Sequence, residues 1–268
     1  MFRSKKIVLE NGHSVVKPFN WTPFIILGVL LIIWFSSTLT DFEPSVLFIE
    51  APTKFVQFID RLFPYDNNYF SRIWVPIIET LAMSFIGTLL GTILAFPTMY
   101  FASSNLNQNK LSLNIIRVVL GIVRTIPLTV YAILLSIVFG LGSFVGMLAI
   151  GIFTYSILTK MMYDYIETVN MSPFEALLAT GSSRFKAYWV AIMPQISGVF
   201  LSQILYNFEM NIRSSAILGY VGAGGIGLML NYQIGLQNYS NVTPILIVIF
   251  MTVLVVEFAS RALRKRLS

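Results

Sequence analysis

The sequence predicts an all-α integral membrane protein with six transmembrane helices and one cytoplasmic helical hairpin. Three observations carry that expectation. Of the 268 residues, 56% are hydrophobic and only 11% are charged, with a mean hydropathy of +0.76, whereas a soluble domain carries about 25% charge. The apolar residues fall in blocks long enough to cross a bilayer, which takes about 20 residues per helix. Between two of these blocks lies SPFEALLATGSSRFKAYWVAIMP, residues 172–194, a polar and punctuated stretch with no need to enter lipid.

The elements follow in order. Residues 1–21 are a tail with Arg3, Lys5, Lys6 and Lys17 against Glu10. The first transmembrane helix occupies 22–40, without a small-residue cleavage site, and so reads as a retained span. Residues 41–73 form an outer loop. Its stretch Pro52–Phe63 alternates apolar Phe55, Val56, Phe58, Ile59, Leu62 and Phe63 with Lys54, Gln57, Asp60 and Arg61, which suits a helix lying in the interface. A five-helix core occupies 74–260. Its spans are Trp74–Phe101, Ile116–Phe139, Phe144–Tyr163, Pro194–Leu218 and Pro244–Ser260, with a tight link at Gly140–Ser143 and a cytoplasmic loop at 164–193. Residues 261–268 close the chain with Arg261, Arg264, Lys265 and Arg266.

Positive charge near span ends marks the cytoplasmic side. Both tails are basic, and six spans return the chain to its starting side. Lys110, Arg117, Lys160, Arg184 and Lys186 fall on that same side. The expectation is a multi-pass protein of the plasma membrane with both termini in the cytoplasm. The net charge of +6 therefore serves orientation and the lipid bilayer, and no nucleic-acid partner is expected. Cysteine is absent and the only histidine, His13, lies in the tail. That excludes a thiolate metal site, a Ser–His pair and an H-E-x-x-H zinc site within the spans. No catalytic residue, metal or cofactor is expected.

The hairpin is written in capping chemistry. Ser172 suits an N-cap, Pro173 the first helical position, and Glu175 would complete a capping box. Gly181 can adopt the left-handed conformation that closes a helix. Two turns are expected over Pro173–Thr180, then a second helix capped by Ser182 or Ser183 and leading to Pro194.

The fifth span is unusually polar. Ser202, Tyr206, Glu209 and Arg213 share one helical face, and Gln203, Asn207 and Ser214 another. Glu209 and Arg213 are four residues apart and can pair. These faces are either a buried strut between helices or part of a translocation path in which Arg213 meets an anion. Glu79 and Glu257 sit near span ends and read as interfacial. The run 219–227 contains Gly222, Gly224, Gly225 and Gly227. Its flanks are membrane spans and no ribose-binding acid lies about 20 residues on, so a dinucleotide site is rejected. It serves close packing or a flexible gate at the outer mouth. Gly87-x-x-x-Gly91 and Gly142-x-x-x-Gly146 are small-residue pairs that let helices approach.

Glu175-Ala176, Gly181 and Pro194 match, at the same spacing, the EAA motif of permease subunits in ATP-binding-cassette (ABC) importers, with Leu177, Ala191 and Met193 as apolar departures. Glu79-Thr80-Leu81, Arg124-Thr125-Ile126-Pro127, the run 208–215 and the glycine run resemble the phosphonate-transport permeases of that group, with Leu128 standing where an acid is expected. The resemblance covers about residues 74–260. It implies the fold of a type I ABC importer permease, in which the hairpin is a coupling helix seated on a cytoplasmic ABC ATPase dimer. Glu175, Ala176 and Gly181 would shape the docking knob, with Arg184 and Lys186 as salt-bridge partners. It also implies a second permease subunit, an extracytoplasmic solute-binding protein, and a small anion such as phosphonate or a related phosphorus oxyanion as cargo. The chain lacks a G-x-x-x-x-G-K-[S/T] loop, so ATP would be handled by a partner. The competing class is an ion-coupled carrier or channel. That class predicts inverted repeats or broken helices with coupling carboxylates and leaves the hairpin without a role.

Overall fold

The computed structural model describes residues 6–8, 14–16, 21–40, 46–63 and 65–266. Arg3, Lys5, Glu10, His13 and Lys17 of the expected tail lie outside these residues, as do Asp41 and Glu43. The chain divides into two units, Met1–Asp60 and Arg61–Ser268.

In the first unit, Lys6–Val8 (β1) and Ser14–Val16 (β2) pair antiparallel with Ile7 opposite Val15. This short ribbon precedes an otherwise helical chain. Helix α1 follows over Thr22–Leu39, with Pro23 in its first turn and none of its side chains buried. A π-turn at Val46–Glu50 leads into α2, Ala51–Leu62, where the sequence places an amphipathic helix. Lys54 pairs with Glu50 at 2.7 Å.

The second unit is built on α3, Phe70–Ala102, a 33-residue helix. The other helices are α4 (Lys110–Thr125), α5 (Leu128–Phe139), α6 (Ser143–Ile166), α7 (Ser172–Ala179), α8 (Arg184–Ala187), α9 (Met193–Leu218), α10 (Gly225–Gly235) and α11 (Tyr239–Arg264). The main partner of α3 is α6, and glycine makes the approach possible. A Cβ at Gly91 would lie 2.7 Å from the Gly151 carbonyl oxygen, and one at Gly87 2.7 Å from Ile150. Polar rungs then tie in α9. Ser84 and Ser215 share a 2.7 Å hydrogen bond, and Asn211 Nδ2 donates to Thr88 Oγ1 and Thr154 Oγ1, each at 2.8 Å. All five of these side chains are buried. In an apolar medium each unmade bond would leave a costly orphan, so the rungs fix the register of the three helices.

Five of the expected spans are unbroken helices long and apolar enough to cross a membrane. Two boundaries differ from expectation. The span expected at Ile116–Phe139 breaks, α4 and α5 meeting at 88°. Pro127 supplies no amide donor, and the residue before a proline is driven out of the α region. Ile126 accordingly sits at φ −83°, ψ 122°. Conversely, the fifth span does not start at Pro194, because helix runs on from Arg184 to Val221. Tyr188–Ile192 adopts π geometry, and Met193 N–H reaches back to Tyr188 O. This wider turn takes up the register that Pro194 disrupts.

Counted along α3, the exposed apolar side chains run from Trp74 to Phe101, ~40 Å at 1.5 Å per residue and so more than the ~30 Å of a hydrocarbon core.

Candidate functional site

The hairpin, α7 and α8, is a braced knob. Its first turn differs in detail from the expected capping box. Met171 is already helical and Ser172 makes no side-chain cap. Asn170 Oδ1 instead accepts from Ser172 N at 3.0 Å, so an Asx turn does the work one residue earlier. The far end matches expectation. Gly181 has φ +85°, Gly181 N donates to Leu178 O, and Ser182 N donates to Leu177 O, the paired bonds of a Schellman stop. Ser183 caps α8, its Oγ accepting from Lys186 N at 3.4 Å.

Phe174 holds the knob to the bundle. It is 2% exposed, in a cluster with Met99, Leu106, Met162, Ile166 and Ile192. Glu175, Ala176, Gly181 and Lys186 are all exposed. Arg184 differs. It turns inward, donating from Nη2 to Asn105 O and Leu106 O at 3.3 and 3.1 Å, with its guanidinium 5.7 Å from the Phe174 ring. The expected docking cation is therefore a brace between the knob and the segment after α3.

That segment is tied down in turn by Glu167, which the sequence reading missed. Glu167 Oε1 accepts from Ser104 N (2.7 Å), from Ser104 Oγ (2.6 Å) and from Arg117 Nη2. Arg117 also donates to Ala102 O at 2.9 Å and lies 4.6 Å over the Tyr163 ring. Burial disfavours the Glu167 carboxylate, but the bonds from Ser104 and then Arg117 outweigh it and hold the carboxyl below its ordinary value. A polar chain thus runs from the knob through residues 104–106 and Glu167 to α4.

On α9, Asn207 and Glu209 are buried, Gln203 and Ser214 are half-buried, and Arg213 is exposed. Glu209 pairs with Arg213 at 3.1 Å, as expected, and also with Arg264 of α11 at 2.9 Å. Glu257 joins this network. It lies 3.6 Å from Arg213 and is bonded to Arg261. Arg213 sits between the Ser215–Ser84 and Asn211–Thr88 rungs, opposite the middle of α3 and ~24 Å from either end.

The glycine run forms a junction of three elements. Gly222, Gly224 and Gly225 all have positive φ. A Cβ at Gly219 would fall 2.1 Å from Gly227 C, so the end of α9 and the start of α10 interlock backbone to backbone. Gly142 N donates to Gly222 O at 2.9 Å, and Ser143 Oγ donates to Glu79. Helix α10 then returns along α3, with Ile226 N bonded to Thr80 Oγ1 and Gln233 Nε2 to Tyr69 Oη, each at 2.8 Å. The junction therefore lies about ten residues, ~15 Å, in from the first residue of α3. Among the described residues no cluster of His, Asp and Glu could hold a metal.

Residues 87–268 match the family of binding-protein-dependent transport system inner membrane components. This chain belongs to that family. The permease is 32% identical to HtxC of Stutzerimonas stutzeri, named for a phosphite transport system, over 98% of this chain and 93% of HtxC. It is 31% identical to the phosphite transport system permease protein PtxC of the same organism, over 90% of this chain and 86% of PtxC. It is 30% identical to the phosphate-import permease protein PhnE of Mycolicibacterium smegmatis, over 84% of this chain and 42% of that longer protein. A chain of the MetNI methionine ABC transporter superposes with a TM-score of 0.66 at 18% identity, over 76% of this permease and 99% of that chain. The fold is that of a type I ABC importer permease. The broken α4–α5 span and the α9–α10 break, which a carrier would also show, belong here to a transport-system permease.

Proposed function

We propose that this permease carries a phosphorus oxyanion (phosphite, phosphonate or phosphate) into the cell, driven by a cytoplasmic ABC ATPase dimer. The knob carries this reading. Its exposed Glu175, Ala176, Gly181 and Lys186 form a docking face, while Phe174 and Arg184 fix it rigidly to the bundle. A push on α7 is passed through Arg184, residues 104–106 and Glu167 to Arg117 on α4, the first half of the bent span. Closure of the ATPases thereby moves the spans between inward-open and outward-open states. A second permease subunit, identical or paralogous, completes the path, and an extracytoplasmic solute-binding protein delivers the anion. Both termini and residues 164–193 face the cytoplasm, in keeping with the basic residues at each.

Within the path, Gln203, Asn207, Glu209, Arg213 and Ser214 line the route, and the junction of Gly222, Gly224, Gly225 and Gly227 against the Gly140–Ser143 corner is its gate. The cargo reading is supported by the relatives named for phosphite and phosphate and by an exposed arginine, Arg213, on α9. The test is uptake of phosphite and ATP hydrolysis by the reconstituted transporter. Glu175→Ala with Gly181→Val, the latter strained at φ +85°, abolishes coupled uptake while the spans still insert. Normal uptake by that double variant would refute the docking role.

A further inference from the structure

Four cations lie inside the expected spans: Arg117, Arg124, Lys160 and Arg213. Three of them are answered by carboxylates. Arg117 is paired with Glu167, Lys160 with Asp164, and Arg213 with Glu209 and Glu257. Arg124 is the exception. Among the described residues it makes no ion pair, hydrogen bond or ring contact, and it is exposed. Its place in the last turn of α4 favours a cation through the helix dipole. Any basic residue supplies that effect, and it leaves the five donors of the guanidinium fork unspent.

Helix α4 shows which way Arg124 faces. At about 100° per residue, it falls within ~20° of Arg117, seven positions back, and ~40° from Leu120, the buried residue of α4. Arg117 is turned inward, over the Tyr163 ring and onto Ala102 O. The exposed apolar residues Leu111, Ile115, Val118 and Ile122 lie on the other side of the helix. Arg124 is therefore open, yet not on the stripe that suits lipid. The backbone beside it agrees. Helices α4 and α5 meet at 88°, and Thr125 and Pro127 at the corner are exposed. Broken backbone at membrane depth is tolerated only where protein buries it or where it lines water. This chain leaves the corner uncovered, which is the condition for a water-lined path. A phosphorus oxyanion offers the paired oxygens that a free guanidinium fork binds best.

We propose that Arg124 is an anion-binding residue of the translocation path, presenting its free guanidinium to the phosphorus oxyanion at the corner between α4 and α5. Unlike Arg213, it releases no carboxylate to do so. This rests on the proposed cargo class. It also gives the relay from the knob an end point. Arg117 and Arg124 share one stripe of α4, about two turns and ~10 Å apart, so a push that reaches Arg117 through Glu167 moves Arg124 with it.

The test uses the assembled transporter, permease with its ATPase and solute-binding protein, in proteoliposomes, with phosphite uptake and melting temperature read together. Arg124→Gln lowers uptake at least tenfold, Arg124→Lys keeps part of it, and both hold the native melting temperature and subunit composition. Native uptake by Arg124→Gln overturns the proposal. So does a loss of uptake matched by a lowered melting temperature or by subunit dissociation, which would mark a clasp between helices or between copies. Calorimetric titration of the permease–ATPase assembly with inorganic phosphate, in lipid-free non-ionic detergent, reads the site without transport. Arg124→Gln weakens that binding at least tenfold. Equal binding by the variant, or none by the native assembly, overturns the proposal. A lipid headgroup offers the same phosphate chemistry, and nanodiscs of phosphatidylcholine with and without phosphatidylglycerol separate the two sources. Competition of phosphatidylglycerol with phosphate overturns the path site, and indifference to it supports the site. Water at the corner is read by thiol chemistry, since the chain has no cysteine. Arg124→Cys reacts with a small water-soluble thiol reagent at least tenfold faster than Ile122→Cys on the apolar stripe, and an Arg124→Cys no faster than Ile122→Cys overturns the proposal. A native assembly that imports no phosphorus oxyanion would refute the cargo class alone, since the titration and the thiol labelling judge the anion site independently.

Discussion

Phe174→Ala isolates the mechanical seating of the knob from its docking face. Phe174 is 2% exposed, and Arg184, which ties the knob to residues 105 and 106, lies over its ring. Truncating a fully buried phenylalanine costs about 3–5 kcal/mol. Here the loss falls on one short helix held mainly by that side chain, so it opens the hairpin locally rather than unfolding the spans. At 1.4 kcal/mol per tenfold, the open population rises by roughly two to four orders of magnitude. Hydrogen exchange of the purified permease reads this directly. Amides of 172–187 lose protection while those of α3 and α6 keep theirs, and Glu175→Ala, on the exposed face, leaves the pattern unchanged. Unchanged protection in 172–187 would refute the anchoring argument. An equal loss throughout the chain would show that the knob is not a separable unit.

Three further outcomes follow. Glu167 has a carboxyl pKa depressed in the folded protein, so its bracket contributes fully above the ordinary glutamate value of about 4.5 and loses that contribution as pH falls through the lower folded value. Thermal melts between pH 3 and 6 show this decline in the native permease, and Glu167→Gln, already weakened at neutral pH, lacks it. Gly219→Ala places a Cβ 2.1 Å from Gly227 C and strongly lowers melting temperature and yield, whereas Gly28→Ala, with nothing within 4 Å, leaves both unchanged. Asn211→Ala removes the donor to both Thr88 and Thr154, leaving Thr88 its 2.6 Å bond to Ser84 O, and costs about 1–3 kcal/mol, while Ser84→Ala with Ser215→Ala removes both partners of a rung and costs less. Denaturation of the two variants side by side checks the order.

Much of this architecture was legible in the sequence because lipid imposes one rule, long apolar helices with polar residues at their ends. The hairpin was legible because glycine and serine write their conformations locally, as at Gly181 and Ser183. The 126–127 break was hidden by hydropathy, since Ile116–Phe139 is apolar on both sides of Pro127 and only the Ile–Pro pair signals it. At Pro194 the opposite happened. Proline suggested a boundary, and a π-turn absorbed it. The depth of the glycine junction could not be read because α10 returns along α3, a fact of tertiary pairing at Thr80 and Tyr69. The same holds for Glu257 and for Glu167. Apart from Arg261, four residues on from Glu257, their partners lie 44 to 63 residues away in sequence, and no local pattern announces those.

The most direct test is the side of the membrane on which the knob lies. The chain contains no cysteine, so Glu175→Cys introduces a single reactive site on the exposed face of α7. Treated with an impermeant maleimide, that variant stays unlabelled in intact cells, labels in inside-out vesicles, and is shielded there once the ATPase is bound. Labelling from the outside of intact cells would contradict the account at its root.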